Sequence, residues 1–302
     1  MKKMIITACL LVCLAGCKGD KEAQTVKTEA KELVVNMPVE THKEFYGIWT
    51  GMLNPIPDDA EEYQSDIADP PKKISIKINK IVKDSVYGQS IAGGNQRPLV
   101  GVLTTVGNKT MFTLDEPGTN KYDGRFELVL KNDTLQGKWT SYKNNGDVYA
   151  NKTLALVQKQ FVYNPNFLLE EDIEAYDWEH PKQEERSVIE GENSEEEMYV
   201  EDVYRFASEN IYMLNASKEI LTEEQLKNLR KLDLEIIRNT IFARHGYSFK
   251  RGFLREFFEA NTWYVPFSDN VDKDLTKIEK ENIAVLKRLE QYAEDHYDSF
   301  GR

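Results

Sequence analysis

His245 follows directly on Arg244 and lies seven residues after Arg238. An imidazole titrates near neutral pH, at roughly 6.5 when unperturbed, which suits it to proton transfer or to metal ligation. Catalysis needs a partner at a recognisable spacing, and no second histidine, nucleophile or carboxylate supplies one. The other histidines, at 42, 180 and 296, are far apart in sequence, and HExxH, GxSxG and phosphate-cradling glycine loops are absent. Arg238, Arg244 and His245 are therefore candidate binding or structural residues, hydrogen-bonding the following turn and a neighbour such as Asn282. No residue is assigned as catalytic.

Two further clusters carry charge in a pattern. Asn270, Asp272, Asp274 and Glu281 fall at positions 1, 3, 5 and 12 of a calcium loop, but Leu275 stands where the loop needs glycine and Ile278 replaces a ligand. Neither metal nor cofactor is expected, and the acids are explained by a neighbouring helix N-terminus. From Arg238 to Arg255 there are five basic residues and no acid, a run able to meet an anionic glycan, a lipid headgroup or an acidic protein segment, including the chain's own 170–202.

The elements that must position these residues follow from composition. The chain has 302 residues, 40 % of them hydrophobic, enough for real cores and for one large domain or two ordinary ones. Its net charge of −12 argues against nucleic acid, which is bound through a basic face. Between Glu170 and Asp202 fifteen acidic residues face two basic ones, so this stretch holds nearly all the charge and reads as an interdomain linker. Phe167, Leu168, Ile173, Tyr176 and Trp178 suit packing of its early part on a domain.

Met1-Lys2-Lys3 and the apolar run Met4 to Leu14 form a secretory signal, too short to span a bilayer comfortably. Leu14-Ala15-Gly16-Cys17 resembles the bacterial lipobox, which implies cleavage after residue 16 and acylation of Cys17. All three cysteines lie before residue 18, so cleavage after residue 16 leaves Cys17 alone, with no intrachain disulfide framework and no cysteine-based zinc site expected in the mature chain. Acyl chains such as palmitate contribute about 0.8 kcal/mol per buried methylene, which tethers the protein to a membrane without spanning it. Lys18 in place of an aspartate favours the outer membrane, with the face open. Residues 17–44 are expected to be a flexible tether.

From Phe45 to Gln160 short runs rich in Val, Ile, Thr, Tyr and Trp alternate with turn clusters. Strands are expected near 45–53, 73–82, 85–91, 98–105, 109–114, 124–131, 134–142 and 151–159. Lys83-Asp84, Gly107-Asn108, Asn132-Asp133 and Asn144-Asn145-Gly146-Asp147 supply tight turns, and Ile74, Ile76 and Ile78 alternate with Ser75, Lys77 and Asn79 to give one buried and one wet face. About eight strands close an up-and-down barrel. Gly47-Ile48-Trp49 resembles the Gly-X-Trp of lipocalin-like barrels, where the Trp plugs one end. That resemblance implies carriage of a small apolar ligand, unless side chains fill the interior.

Beyond about Val203 the apolar period becomes helical. Thr222-Glu223-Glu224-Gln225 and Thr276-Lys277-Ile278-Glu279 are capping boxes, and Gly246 suits the end of a helix carrying Leu234, Ile237 and Ile241. Leu221 to Leu226, Ile237 to Phe249, Phe257-Phe258, Trp263-Tyr264 and Lys280 to Ile283 resemble the YARHG domain, with Phe242 in place of the signature Tyr. The resemblance implies an extracytoplasmic module of bacterial envelope proteins, and it adds Asn239, Gly246, Trp263, Tyr264 and Asn282 to the candidate binding or structural residues.

The expected fold class is α+β multidomain: a signal over 1–16, a tether over 17–44, an antiparallel β-barrel or meander over 45–162, an acidic linker over 163–214 and an all-α YARHG-like domain over 215–296. The expected function is that of a lipid-anchored envelope lipoprotein that binds or scaffolds a glycan or protein partner. Two alternatives stay open: a hydrolytic enzyme acting on an envelope component through His245 and Arg244, and a carrier of a small apolar ligand in the barrel. His245 buried and bonded to backbone favours binding or scaffolding; His245 exposed in a cleft beside a carboxylate or hydroxyl favours the enzyme.

Overall fold

The computed structural model describes residues 39–56, 70–143, 150–188 and 196–296. The signal, Cys17 and most of the tether lie outside the described residues, as does the expected turn at Asn144 to Asp147. The tether's expected end is held: Thr41 N donates to Ile81 O at 3.0 Å, and a 3-10 turn spans Lys43–Phe45.

Eight antiparallel strands close into a barrel in sequential order: β1 Gly47–Ile56, β2 Lys72–Val82, β3 Ser85–Ala92, β4 Asn95–Val106, β5 Lys109–Asp115, β6 Gly124–Lys131, β7 Thr134–Ser141 and β8 Asn151–Lys159. β1 closes the ring by pairing with both β2 and β8. Closure removes the exposed edges that an open meander would present to other chains. The hairpins turn where the sequence tolerates left-handed backbone, at Lys83, Asn132 and Asp133, and at Gly107.

Alternate residues point inward, and Ile76, Val86, Phe112, Leu128 and Leu156 pack the lumen. One end is plugged: Trp49 Nε1 donates to Phe45 O at 2.9 Å, and the Phe45 ring stands edge-on to Phe112. The outward face of β2 is not uniformly wet. Ser75 is buried and donates to Thr50 Oγ1, because its neighbours Lys73 and Lys77 on that face lie against residues 259–267 of the helical region.

Residues 163–188 and 196–214, part of the stretch expected to be a linker, hold ordered structure. β9 Tyr176–Val188 and β10 Glu197–Phe206 form an antiparallel hairpin, and Leu169 and Ala175 join the core of the helical region. Cross-strand pairing offsets the crowded acids: Arg186 Nε lies 2.6 Å from a Glu201 carboxylate oxygen.

Five helices follow: α1 Asn210–Met213, α2 Glu223–Leu226, α3 Lys231–Arg244, α4 Gly252–Ala260 and α5 Lys277–His296. Both capping boxes form. Thr222 and Gln225 close the first turn of α2, and Thr276 and Glu279 that of α5. α3 packs on α5 and is buried on nearly every side, with Ile236, Ile237 and Ile241 in the core. Among the described residues no helix is long and apolar enough to cross a membrane.

Candidate functional site

Of the candidate residues of the helical region, Arg244, His245 and Gly246 lie together at the end of α3. Gly246, at φ +74°, reverses the chain just after the helix; a side chain there would run into Phe267. This leaves His245 facing inward and 4 % exposed. Its ring stacks on Tyr163 with centroids 4.3 Å apart, and its Nε2 lies 2.8 Å from Glu279 Oε2. The Tyr163 hydroxyl donates to the other oxygen of Glu279 at 3.0 Å. Glu279 also accepts from Thr276 N at 2.8 Å, so one carboxylate caps α5 and anchors α3.

Burial alone would raise the pKa of Glu279, but the hydrogen bonds from His245 and Thr276 outweigh it and hold the group at about 2. Tyr163 is pushed the other way, to about 12, by burial and by the Glu279 charge. Arg244 is buried with neutral acceptors: its Nε donates to Phe167 O at 2.8 Å and its Nη1 to Ser217 Oγ at 3.0 Å. Burial draws its pKa down to about 10.

The remaining candidates also tie backbone segments together. Asn282, fully buried, accepts from Leu221 N and donates to Ala216 O and Glu219 O, rather than to His245. Arg238 grips Glu290 through two bonds, of 2.6 and 2.9 Å, and donates to Asn239 at 3.3 Å. Trp263 Nε1 donates to Leu168 O, and the Tyr264 hydroxyl to Tyr247 O.

The run of basic residues from Arg238 to Arg255 does not form one open face. Arg251 pairs with Glu235 and lies 3.7 Å from Glu179 and 3.8 Å from Asp177, both of the acidic stretch. Sequence spacing did not show Tyr163, Ser217 or the second role of Glu279, because each partner is contributed from elsewhere in the chain. The Glu of the capping box was the one available signal.

A second candidate lies at the barrel end opposite Trp49. There a cleft of about 460 Å³ is walled by the barrel and by Arg255 of α4. Its buried Glu116 accepts from Ser90 Oγ at 2.6 Å, Gly124 N at 2.8 Å and Trp139 Nε1 at 3.2 Å. Burial nevertheless raises the Glu116 pKa. Arg97 lies 3.0 Å from buried Asp123. The β3–β4 turn is pinned to the helical region, with Gly94 N donating to Ser248 Oγ at 3.1 Å.

The chain is thus a closed β-barrel against which a small helical module packs, the module cross-braced by buried polar side chains. That module is a YARHG domain: residues 209–291 match the family. It begins six residues before the expected boundary, close to the start of α1. No curated protein and no solved structure matches the chain.

Proposed function

We propose that this protein is an envelope lipoprotein, anchored in the outer membrane through acylated Cys17, that acts by binding or scaffolding through its YARHG domain rather than by catalysis. The observation that carries the reading is the burial of His245. Its carboxylate and phenol partners match an acid–base set, but with 4 % exposure the imidazole has no room for a substrate beside it. The same bonds fix α3, α5 and the 163–168 segment relative to one another, which is what a rigid recognition surface requires. The lumen packed by its own side chains removes the main support for carriage of an apolar ligand deep in the barrel.

Two measurements test it. Radiolabelled palmitate should enter the wild-type chain and not Cys17→Ser, which should leave the membrane fraction. Purified envelopes incubated with the folded protein should release no fragments that His245→Gln fails to release; such a loss would establish the hydrolytic alternative.

A further inference from the structure

The barrel-end cleft is not explained by anything above, and its lining is chemically biased. Five of the side chains around it are basic: Lys72, Arg97, Lys121, Lys152 and Arg255. Glu116 is the acid among the lining residues, and Arg97 also pairs with buried Asp123 at 3.0 Å, so the bases still outnumber the acids in a protein whose net charge is −12. Glu116 is buried and already engaged, accepting hydrogen bonds from Ser90, Gly124 and Trp139.

Arg255 departs from ordinary ion pairing. It reaches the cleft from α4, its Nε is buried without a hydrogen-bond partner, and its Nη2 meets Glu256 only at 3.4 Å. A buried arginine donor left unused is costly in a native protein, and the same guanidinium group belongs to a side chain that lines the cleft. Beneath the basic rim the floor is apolar and aromatic, with Ile74, Phe126 and Trp139. The volume falls within the roughly 300–1,000 Å³ of small-molecule sites. The Gly94 to Ser248 bond holds the wall in place, so the seat exists before any ligand arrives.

We propose that this cleft binds a small organic anion with an apolar, ring-bearing body, its charged group met by Arg255 and Arg97 and its body lying on Phe126 and Trp139. A neutral guest would desolvate the basic rim without compensation, and a bare inorganic anion would leave the aromatic floor uncovered. The inference is independent of the lipid anchor and of what the YARHG domain recognises.

The test uses the full mature chain and two fluorescent probes of one shape. The anion is 8-anilinonaphthalene-1-sulfonate; the neutral control is N-phenyl-1-naphthylamine, which has the same rings without the sulfonate. The anion should bind saturably, one per chain, and about tenfold more tightly than the control, a difference that shrinks with added salt. Arg255→Gln should weaken the anion about fivefold or more and leave the control unchanged, and Arg255→Lys should restore part of the loss. Lys121→Glu alters an exposed rim residue, and so reports even if the Arg255 variants fold poorly; it should weaken the anion about threefold. Equal affinities for the two probes, absence of saturable anion binding, or an anion affinity unmoved by Lys121→Glu and by a folded Arg255→Gln would overturn the proposal.

Discussion

His245, which caps the C-terminus of α3, and Glu279 of α5 are thirty-four residues apart in sequence, and their side chains meet at 2.8 Å with the carboxylate fully buried. The contact joins the C-terminus of one helix to the N-terminus of another, so its energetics can be read as stability of the YARHG domain. Glu279 sits at about 2 when folded, below its ordinary value of 4.5. A depressed carboxylate contributes stability that is complete above about pH 4.5 and is lost as pH falls through about 2. The shift corresponds to roughly 3 kcal/mol at neutral pH. Glu279→Gln should therefore lower the unfolding free energy by a few kcal/mol at pH 7, and the deficit should shrink steadily between pH 4.5 and pH 2. Urea denaturation across that range measures it; a deficit independent of pH would place the loss in packing instead.

Asn282 offers a test without charge. Its side chain satisfies three backbone groups, Leu221 N, Ala216 O and Glu219 O, in a site closed to water. Asn282→Ala orphans all three and should cost about 3–5 kcal/mol. Asn282→Asp keeps the acceptor for Leu221 N but loses both donors, and brings a carboxylate against two carbonyl oxygens. It should be no milder than the alanine, as judged by the denaturation midpoint.

Gly246 and Gly107 share a left-handed backbone but not their surroundings. An added Cβ at Gly246 would lie 2.1 Å from the Phe267 ring, whereas at Gly107, in the β4–β5 turn, it would meet nothing within 4 Å. Gly107→Ala should cost about 1 kcal/mol, the backbone penalty alone. Gly246→Ala must also displace Phe267 and should cost at least about 2 kcal/mol more. Equal losses would mean that the ring yields freely.

What could be read from sequence and what could not divides along local and distant chemistry. The eight barrel strands were legible because Lys83-Asp84, Gly107-Asn108 and Asn132-Asp133 mark where tight hairpins turn, and turn chemistry is set by neighbours in the chain. Both capping boxes were legible for the same reason, and the YARHG resemblance came from a dense local pattern. The β9–β10 hairpin was not. Most of its residues are exposed, so no apolar alternation betrays it, and its stabilising pairs, such as Arg186 with Glu201, depend on register. The surroundings of His245 were equally hidden, because Tyr163 and Glu279 arrive from 82 residues before and 34 after. The barrel-end cleft was hidden too, being assembled from strands and a helix.

The junction between barrel and YARHG domain has a pH dependence of opposite sign to that of Glu279. Glu259 of α4 accepts from Lys73 N of β2 at 3.0 Å, and Lys73 Nζ donates to Asn261 O and Tyr264 O. Burial raises Glu259 to about 7, against the lowering effects of the Lys73 N–H bond and the Arg255 charge; burial likewise lowers Lys73 to about 8. A carboxylate that holds its proton more tightly when folded contributes stability present below its unfolded value, about 4.5, and lost as pH rises through 7. Wild type therefore holds, at pH 7.5 and above, a buried charge worth up to about 3 kcal/mol of destabilisation, reduced by whatever attraction Lys73 and Arg255 return. Glu259→Gln keeps an acceptor for Lys73 N and removes the titration. It should match wild type at pH 4.5 and exceed it by about 1–2 kcal/mol at pH 7.5, the difference growing between those values. The difference between the two urea unfolding free energies, taken at each pH, reports this group together with its coupling to Lys73 and Arg255. A gap that stays flat, or that favours wild type at pH 7.5, would mean that ion pairing with Lys73 and Arg255 outweighs the cost of burying the carboxylate.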